Sequence, residues 1–201
     1  MPTPRSLLSR HLFLRLADIR NGSTVSACLR DAERAQWLPA DQLEEQRWNR
    51  LKVLLAHAET NVPYYRYIFA EHGLRAKEMR DWSDFRRLPI LTKSSIQKNR
   101  AQIRASTLPE RGDEFRQNRT GGSTGEPLLF FTSKRRDERR MAATFRHDRW
   151  CGWDIGKPMA VIWGASQDIG TDDSTRWTLR ERLLDPRIFL NAGGISAKSL
   201  E

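Results

Sequence analysis

Glu114-Phe115-Arg116-Gln117-Asn118-Arg119, Thr120-Gly121-Gly122-Ser123-Thr124-Gly125-Glu126-Pro127 and Leu128-Leu129-Phe130-Phe131-Thr132 form the stretch on which the reading of this chain turns. The first segment reads as extended and the last as an apolar strand. Between them the chain must loop. The glycines permit positive φ and leave no Cβ between backbone amides and an approaching anion. Clustered N–H groups in such a loop make a concave nest for phosphate oxygens. The hydroxyls of Thr120, Ser123 and Thr124 add donors, each bond to a charged group contributing about 1.5–3 kcal/mol. Arg119 adds positive charge next door. This is not a Walker A loop: no Gly-Lys-Ser/Thr follows, and the next element is a strand rather than a helix. The same composition also suits a hairpin loop that only turns the chain.

On the N-terminal side the chain reads as helical. Ser6–Arg20 spaces leucines among arginines as a basic amphipathic helix, which either packs its leucines on the parent domain or lies on an anionic membrane or partner. Asp41 and Glu44 resemble a capping box. Leu43, Leu51, Leu54, Leu55 and Ala58 mark one helical face running to about Thr60. Pro63 opens a helix that Gly73 closes. After a turn around Asp81–Phe85, Thr92 caps a helix expected from Lys93 to about Arg104. On the C-terminal side, Ser133–Cys151 reads as a helix with Met141, Ala142 and Phe145 inward. Pro158–Trp163 reads as a buried strand, Ser174–Leu184 as a helix and Ile188–Leu190 as a strand. The fold class is therefore α/β, with residues 1–108 a helical region and 109–201 the beginning of a mixed α/β nucleotide-binding region. The helix that starts at Ser196 stops within two turns, which reads as truncation.

The chain has 201 residues, 38% hydrophobic and 30% charged. That composition is globular. No apolar run reaches the roughly 18 residues of a membrane-spanning helix, and Arg10, His11 and Arg15 break up Leu7–Leu16, so the uninterrupted apolar stretch of a signal peptide is lacking there. A cytoplasmic protein is expected. Cys28 and Cys151 are far apart, with neither metal-ligand nor disulfide-framework spacing, so no metal ligand is assigned. The net charge of +10 draws the chain toward nucleotides, nucleic acid or a membrane surface.

Thr120–Pro127 is similar, at every position, to the phosphate-binding signature of adenylate-forming enzymes, Thr/Ser-Ser/Gly-Gly-Ser/Thr-Thr-Gly-x-Pro. Leu51–Ala58 followed by Asn61-Val62-Pro63-Tyr64-Tyr65-Arg66 resembles the corresponding stretch of phenylacetate–CoA ligases and CapK-like proteins. Leu88-Pro89-Ile90-Leu91-Thr92-Lys93 matches their segment ahead of the loop, and Trp163-Gly164 and Leu190-Asn191-Ala192 resemble CapK-like relatives. By these motifs the resemblance runs from about Phe13 to Glu201. It implies ATP- and Mg²⁺-dependent activation of a carboxylic acid, giving an acyl-adenylate and pyrophosphate, with a thiol such as CoA or an amine as acceptor. A link to polysaccharide biosynthesis is part of the same implication. Thr120, Gly121, Gly122, Ser123, Thr124 and Gly125 are the residues the resemblance assigns to the β- and γ-phosphates. No residue is assigned a catalytic role.

The family's adenine-side Thr-Glu segment, ribose-binding Asp, hinge and catalytic Lys have no counterpart here, and Lys198 lies too early to be that lysine. The chain thus reads as an N-terminal fragment or degenerate copy, inactive alone. The competing class is a basic module for nucleic acid or a membrane surface with a relic loop. The arginines from Arg135 to Arg149 spread over more than one helix face and read as a solvated surface, so no nucleic-acid partner is expected, while peripheral membrane contact stays open. His57 and His147 read as packed or solvent-facing. Tyr64, Tyr65 and Tyr67 read as interdomain packing on the resemblance, and Trp163 as a core ring.

Overall fold

The computed structural model describes residues 3–106, 115–120, 127–163 and 186–191. The elements are α1 (Pro4–Leu8), a π-helical turn (Ser9–Phe13), α2 (Leu14–Asn21), α3 (Val25–Ala35), α4 (Ala40–Asn61), α5 (Pro63–Glu71), a 3₁₀ turn (Ala76–Glu78), α6 (Trp82–Phe85), α7 (Lys93–Lys98), β1 (Phe115–Arg119), β2 (Leu129–Ser133), α8 (Lys134–Trp150), β3 (Met159–Trp163) and β4 (Arg187–Asn191). The class is α/β. β1 and β2 pair antiparallel, and β3 and β4 pair parallel. The expected helix Ser174–Leu184, the C-terminal helix from Ser196 and the side chain of Trp163 lie outside the described residues.

Two compact units form, and they do not follow chain order: Met1–Glu33 joins Asp137–Glu201, and Arg34–Arg136 forms the other. In the first, Leu14, Val25, Leu29, Ala142, Phe145 and Ile155 make one buried cluster, with Phe13, Ala17, Cys28 and Trp153 against it. Thr3 starts α1 with a reciprocal cap, its Oγ1 accepting from the Ser6 amide at 3.2 Å and its own amide donating to Ser6 Oγ at 3.0 Å. Gly22 ends α2 in the left-handed region at φ 55°, a conformation that costs glycine little. Asp18 then reaches forward from α2. Its carboxylate accepts from the Ser26 amide at 2.8 Å and from the Ser23 hydroxyl, filling orphan donors at the start of α3.

That cap turns the N-terminal helix. Ser6, Ser9, Leu14 and Asp18 face inward, while Leu7, Leu8, Leu12 and Leu16 remain exposed. Of the expected leucine row only Leu14 packs into the core of this unit, because the rest of the face that reaches α3 carries the serines and Asp18. At the same start of α3, Glu138 of α8 accepts from the Thr24 amide at 3.2 Å and its hydroxyl at 2.6 Å. Glu33 holds both Arg10, at 2.5 Å, and Arg149, and Asp154 meets Arg149 at 3.4 Å. Burial, with Arg10 nearby, pulls the Arg149 guanidinium below its ordinary pKa, and Asp154 opposes this. In α8, Ala142 and Phe145 are buried but Met141 is exposed, one helical step off the buried row.

The second unit is organised by α4. Leu55, Phe69, Leu74, Ala76 and Met79 form its core, with Trp48, Leu51, Tyr65, Phe85 and Leu88 against it. Leu43 and Leu54 are exposed, so the inward row runs through Trp48, Leu51 and Leu55 rather than through every leucine. Pro39 precedes α4 without a side-chain cap, and Asp41 lies inside the first turn, where its charge suits the helix dipole. Pro63 at the first position opens α5, and Gly73 follows it at φ 59°. Asp81–Phe85 is a capped helical turn, since Asp81 accepts from Ser83 and Asp84 amides at 2.8 and 3.1 Å. Thr92 caps α7 through the Ser95 amide at 3.1 Å. α7 stops at Lys98 rather than near Arg104: Asn99 leaves the helical region at φ −111°, ψ 28°, and its side chain donates to the Ser95 carbonyl at 2.9 Å.

Each core sets its own expectation. Phe69→Ala, at 1% exposure, is expected to cost about 3–5 kcal/mol of stability. Glu138→Ala is expected to cost about 1–2 kcal/mol through loss of the cap on α3, with Glu138→Gln retaining much of it. Urea unfolding of the three variants checks both figures, and an unchanged midpoint in Glu138→Ala would remove the cap from the account.

Candidate functional site

The hairpin places the glycine-rich stretch as the connection between β1 and β2. Its register runs from Phe115 opposite Ser133 to Arg119 opposite Leu129. Beyond that pair the strands close once more: the Thr120 amide donates to the Leu128 carbonyl at 3.0 Å, and the Leu128 amide donates to Thr120 Oγ1 at 2.9 Å. Thr120 thus pins the base of the loop with both backbone and side chain. Its hydroxyl accepts in that bond, so its own proton remains available for donation. Gly121, Gly122, Ser123, Thr124 and Gly125 lie outside the described residues.

The hairpin is held to the helical part of its unit through the elbow between α4 and α5. A helix that ends at Asn61 leaves carbonyls without intrahelical partners, and one that starts at Pro63 leaves amides without them. Ser106 fills the Asn61 carbonyl with its amide at 2.7 Å and its hydroxyl at 3.0 Å. The Tyr64 amide donates to the Gln102 carbonyl at 3.0 Å, and Val62 between them is buried. Arg66 bonds the Thr60 carbonyl and, at 3.5 Å, that of Glu59. The chain returning past the elbow carries Arg104, whose guanidinium lies 4.9 Å from the ring centroid of Phe131 in β2. Asn61–Arg66 therefore works as an anchor for the segment preceding the hairpin. Tyr65 packs against the core of this unit, whereas Tyr67 is exposed and bonds Glu71 at 3.1 Å.

Electrostatically the hairpin favours anions. Arg116 and Arg119 are exposed on β1, and Arg104 sits against β2. Among the described residues of the hairpin, 115–120 and 127–133, none is acidic. Arg104 was not singled out by pattern, because it lies beyond the end of α7 and only the fold brings it to Phe131. A separate open cavity of about 980 Å³ is lined by Glu59, Thr60, Arg66, Arg75, Lys77 and Glu78 among others, and Thr120 is not part of its wall. In its wall Glu59 accepts from the Ala76 amide at 2.9 Å and from Arg75 at 3.3 Å.

His57 meets the Asn61 side chain at 3.0 Å, and His147 packs on Trp150 with centroids 4.8 Å apart. Among the described residues no group of three or more His, Cys, Asp or Glu is arranged to hold a metal ion. No helix among them is long and apolar enough to cross a membrane.

No protein-family model matches the chain. Among curated proteins it is similar to phenylacetate-coenzyme A ligase of Escherichia coli strain K12, 33% identical over 89 residues, 44% of this chain. The chain thus aligns with about a fifth, 20%, of that protein's length. This likeness covers less of the chain than the motifs do, and it supports a ligase relationship at the coarse level.

The pin at the loop base is testable without any ligand. Thr120→Val removes the acceptor for the Leu128 amide, and hydrogen exchange at that amide is expected to rise about fivefold or more, equivalent to about 1 kcal/mol. Thr120→Ser is expected to restore protection. Equal exchange in all three proteins would mean the side chain does not close the loop.

Proposed function

We propose that this chain is the phosphate-holding front part of an ATP-dependent, AMP-forming ligase that activates a carboxylic acid, similar to phenylacetate–CoA ligase and CapK-like proteins. The carrying observation is that the complete Thr-Gly-Gly-Ser-Thr-Gly-x-Pro stretch connects two strands whose last pairing is made by Thr120 itself. The base of the loop is thereby fixed, and donors held in place stabilise charge without reorganising. Residues 1–108 act as the helical support and 109–201 as the nucleotide-facing part.

The phosphates of ATP fit the donor set that is present, and Mg²⁺ would come with them, since arginines do not ligate a cation. The Thr120 hydroxyl keeps a proton to donate, Arg116 and Arg119 are exposed on the same hairpin, and no acidic side chain among its described residues competes. Thr120, Gly121, Gly122, Ser123, Thr124 and Gly125 would hold the β- and γ-phosphates, and Mg²⁺ supplies charge neutralisation there. The role of these residues is to orient pyrophosphate as the leaving group while the carboxylate attacks the α-phosphate. The acceptor is a thiol such as CoA, or an amine. The likeness to a ligase of Escherichia coli supports the class.

Two outcomes follow for the protein that carries this segment together with an adenosine site. It is expected to exchange pyrophosphate into ATP when given its acid. The double substitution Ser123→Ala with Thr124→Ala is expected to lower ATP use at least tenfold, about 1.4 kcal/mol, with folding little changed because the glycines remain. Exchange kinetics that do not move in the double variant would make the loop a simple turn. The 201-residue chain alone is expected to bind ATP weakly and to form no acyl-adenylate, since the loop supplies only phosphate contacts. Calorimetry that finds a Mg²⁺-dependent site of low-micromolar affinity, about −7 to −8 kcal/mol, would overturn that expectation.

A further inference from the structure

The outward face of the N-terminal helix has a composition that the ligase reading does not use. Leu8, Leu12, Leu16 and Ile19 follow one another along the helical stretch that runs from α1 through the π-helical turn Ser9–Phe13 into α2. They are 48%, 46%, 51% and 79% exposed and make an apolar stripe open to solvent. The opposite face of the same helix is already occupied, with Ser6, Ser9, Leu14 and Asp18 buried within the unit.

Charge along this surface has one sign. Arg15 and Arg20 are exposed beside the stripe. Asp18 is the sole acidic residue between Thr3 and Thr24; it is buried and its carboxylate is taken by Ser23 and Ser26. The outward face is thus made of leucine, isoleucine, arginine and uncharged residues. Apolar side chains on one line with cations at their flanks fit the boundary between acyl chains and anionic headgroups, where arginines keep their charge in water while their stems lie along apolar surface.

We infer that the face formed by Leu8, Leu12, Leu16 and Ile19, flanked by Arg15 and Arg20, docks the protein on an anionic lipid bilayer surface. Two other occupants fit less well. Nucleic acid would pair with the arginines but leave the leucines in water. A second copy packed stripe to stripe about a two-fold axis would bring its arginines near those of the first, in a chain that already carries +10. The lipid surface uses both features at once, the leucines at the acyl boundary and the basic residues at the anionic headgroups.

The test is co-sedimentation of the full chain with sucrose-loaded vesicles, independent of any nucleotide reaction. Phosphatidylcholine vesicles with about 30 mol% phosphatidylglycerol are expected to bind it at least tenfold more tightly than phosphatidylcholine alone, and salt is expected to weaken that binding. Leu12→Glu with Leu16→Glu is expected to abolish recruitment. Leu12→Ser with Leu16→Ser is expected to lower it about tenfold while circular dichroism and the unfolding midpoint stay near the parent values, which separates docking from misfolding. Arg15→Gln with Arg20→Gln is expected to remove most of the preference for anionic vesicles. Absence of recruitment, equal recruitment to neutral vesicles, or recruitment unchanged by the leucine substitutions would overturn the inference. So would a sedimentation-velocity dimer dispersed by the leucine substitutions without vesicle binding, or heparin binding that tracks the arginines while vesicles bind nothing.

Discussion

Helix ends capped by residues far along the chain are the constraint on which both units depend. A helix terminus removed from water leaves amides or carbonyls without partners, each costing about 1–3 kcal/mol when unsatisfied. Here the partners are remote. Glu138 reaches Thr24 at the start of α3 across 114 positions, and Glu59 of α4 takes the Ala76 amide that opens the 3₁₀ turn. At the elbow between α4 and α5, Ser106 and Gln102 take the Asn61 carbonyl and the Tyr64 amide. Each bond does local work, and each also fixes where a distant stretch of chain must pass. The elbow matters most for function, because the stretch it captures carries Arg104 to β2 and leads toward the hairpin.

This explains what was legible in the sequence. Signals that act within one turn read correctly: Pro63 and Gly73 around α5, Thr92 ahead of α7, and the extended segments on both sides of Thr120–Pro127. Their physics is complete within a few residues. The orientation of the N-terminal helix was not legible, since leucine spacing alone favours burying the leucines. The inward face is decided instead by Asp18 reaching the amide of Ser26, a cap on α3 that turning the exposed leucines inward would break. Met141 and Leu54 fail for a related reason: a neighbour one step along the helix already fills the inward row. The early end of α7 was hidden in Asn99, whose side chain competes for the Ser95 carbonyl.

For the candidate site the division runs through Thr120. Its place beside the glycines was apparent, and so was its hydroxyl. That the hydroxyl accepts from Leu128 was not, because the bond depends on the register of β1 against β2. The bond changes the role of the residue from one more donor to the hinge pin of the loop. A phosphate contact made by the same oxygen's proton would then be coupled to strand pairing. Substitutions at Thr120 should therefore alter both together, while those at Ser123 and Thr124 should leave the hairpin as it is.

The positive charge is distributed by the same logic. Two arginines of the first unit are matched by carboxylates: Glu33 takes Arg10 and Arg149, and Asp154 shares Arg149. The surplus is left on surfaces whose carboxylates are absent or otherwise engaged. The hairpin keeps Arg116 and Arg119 without an acidic neighbour on its described strands, and the outer face of the N-terminal helix keeps Arg15 and Arg20 because Asp18 is spent on a cap. These two surfaces differ in what accompanies the charge. On the hairpin it stands beside the Thr120 hydroxyl at the base of the loop, which suits a phosphate chain. On the helix it stands beside leucines, which a hydrated anion cannot use and an anionic lipid surface can.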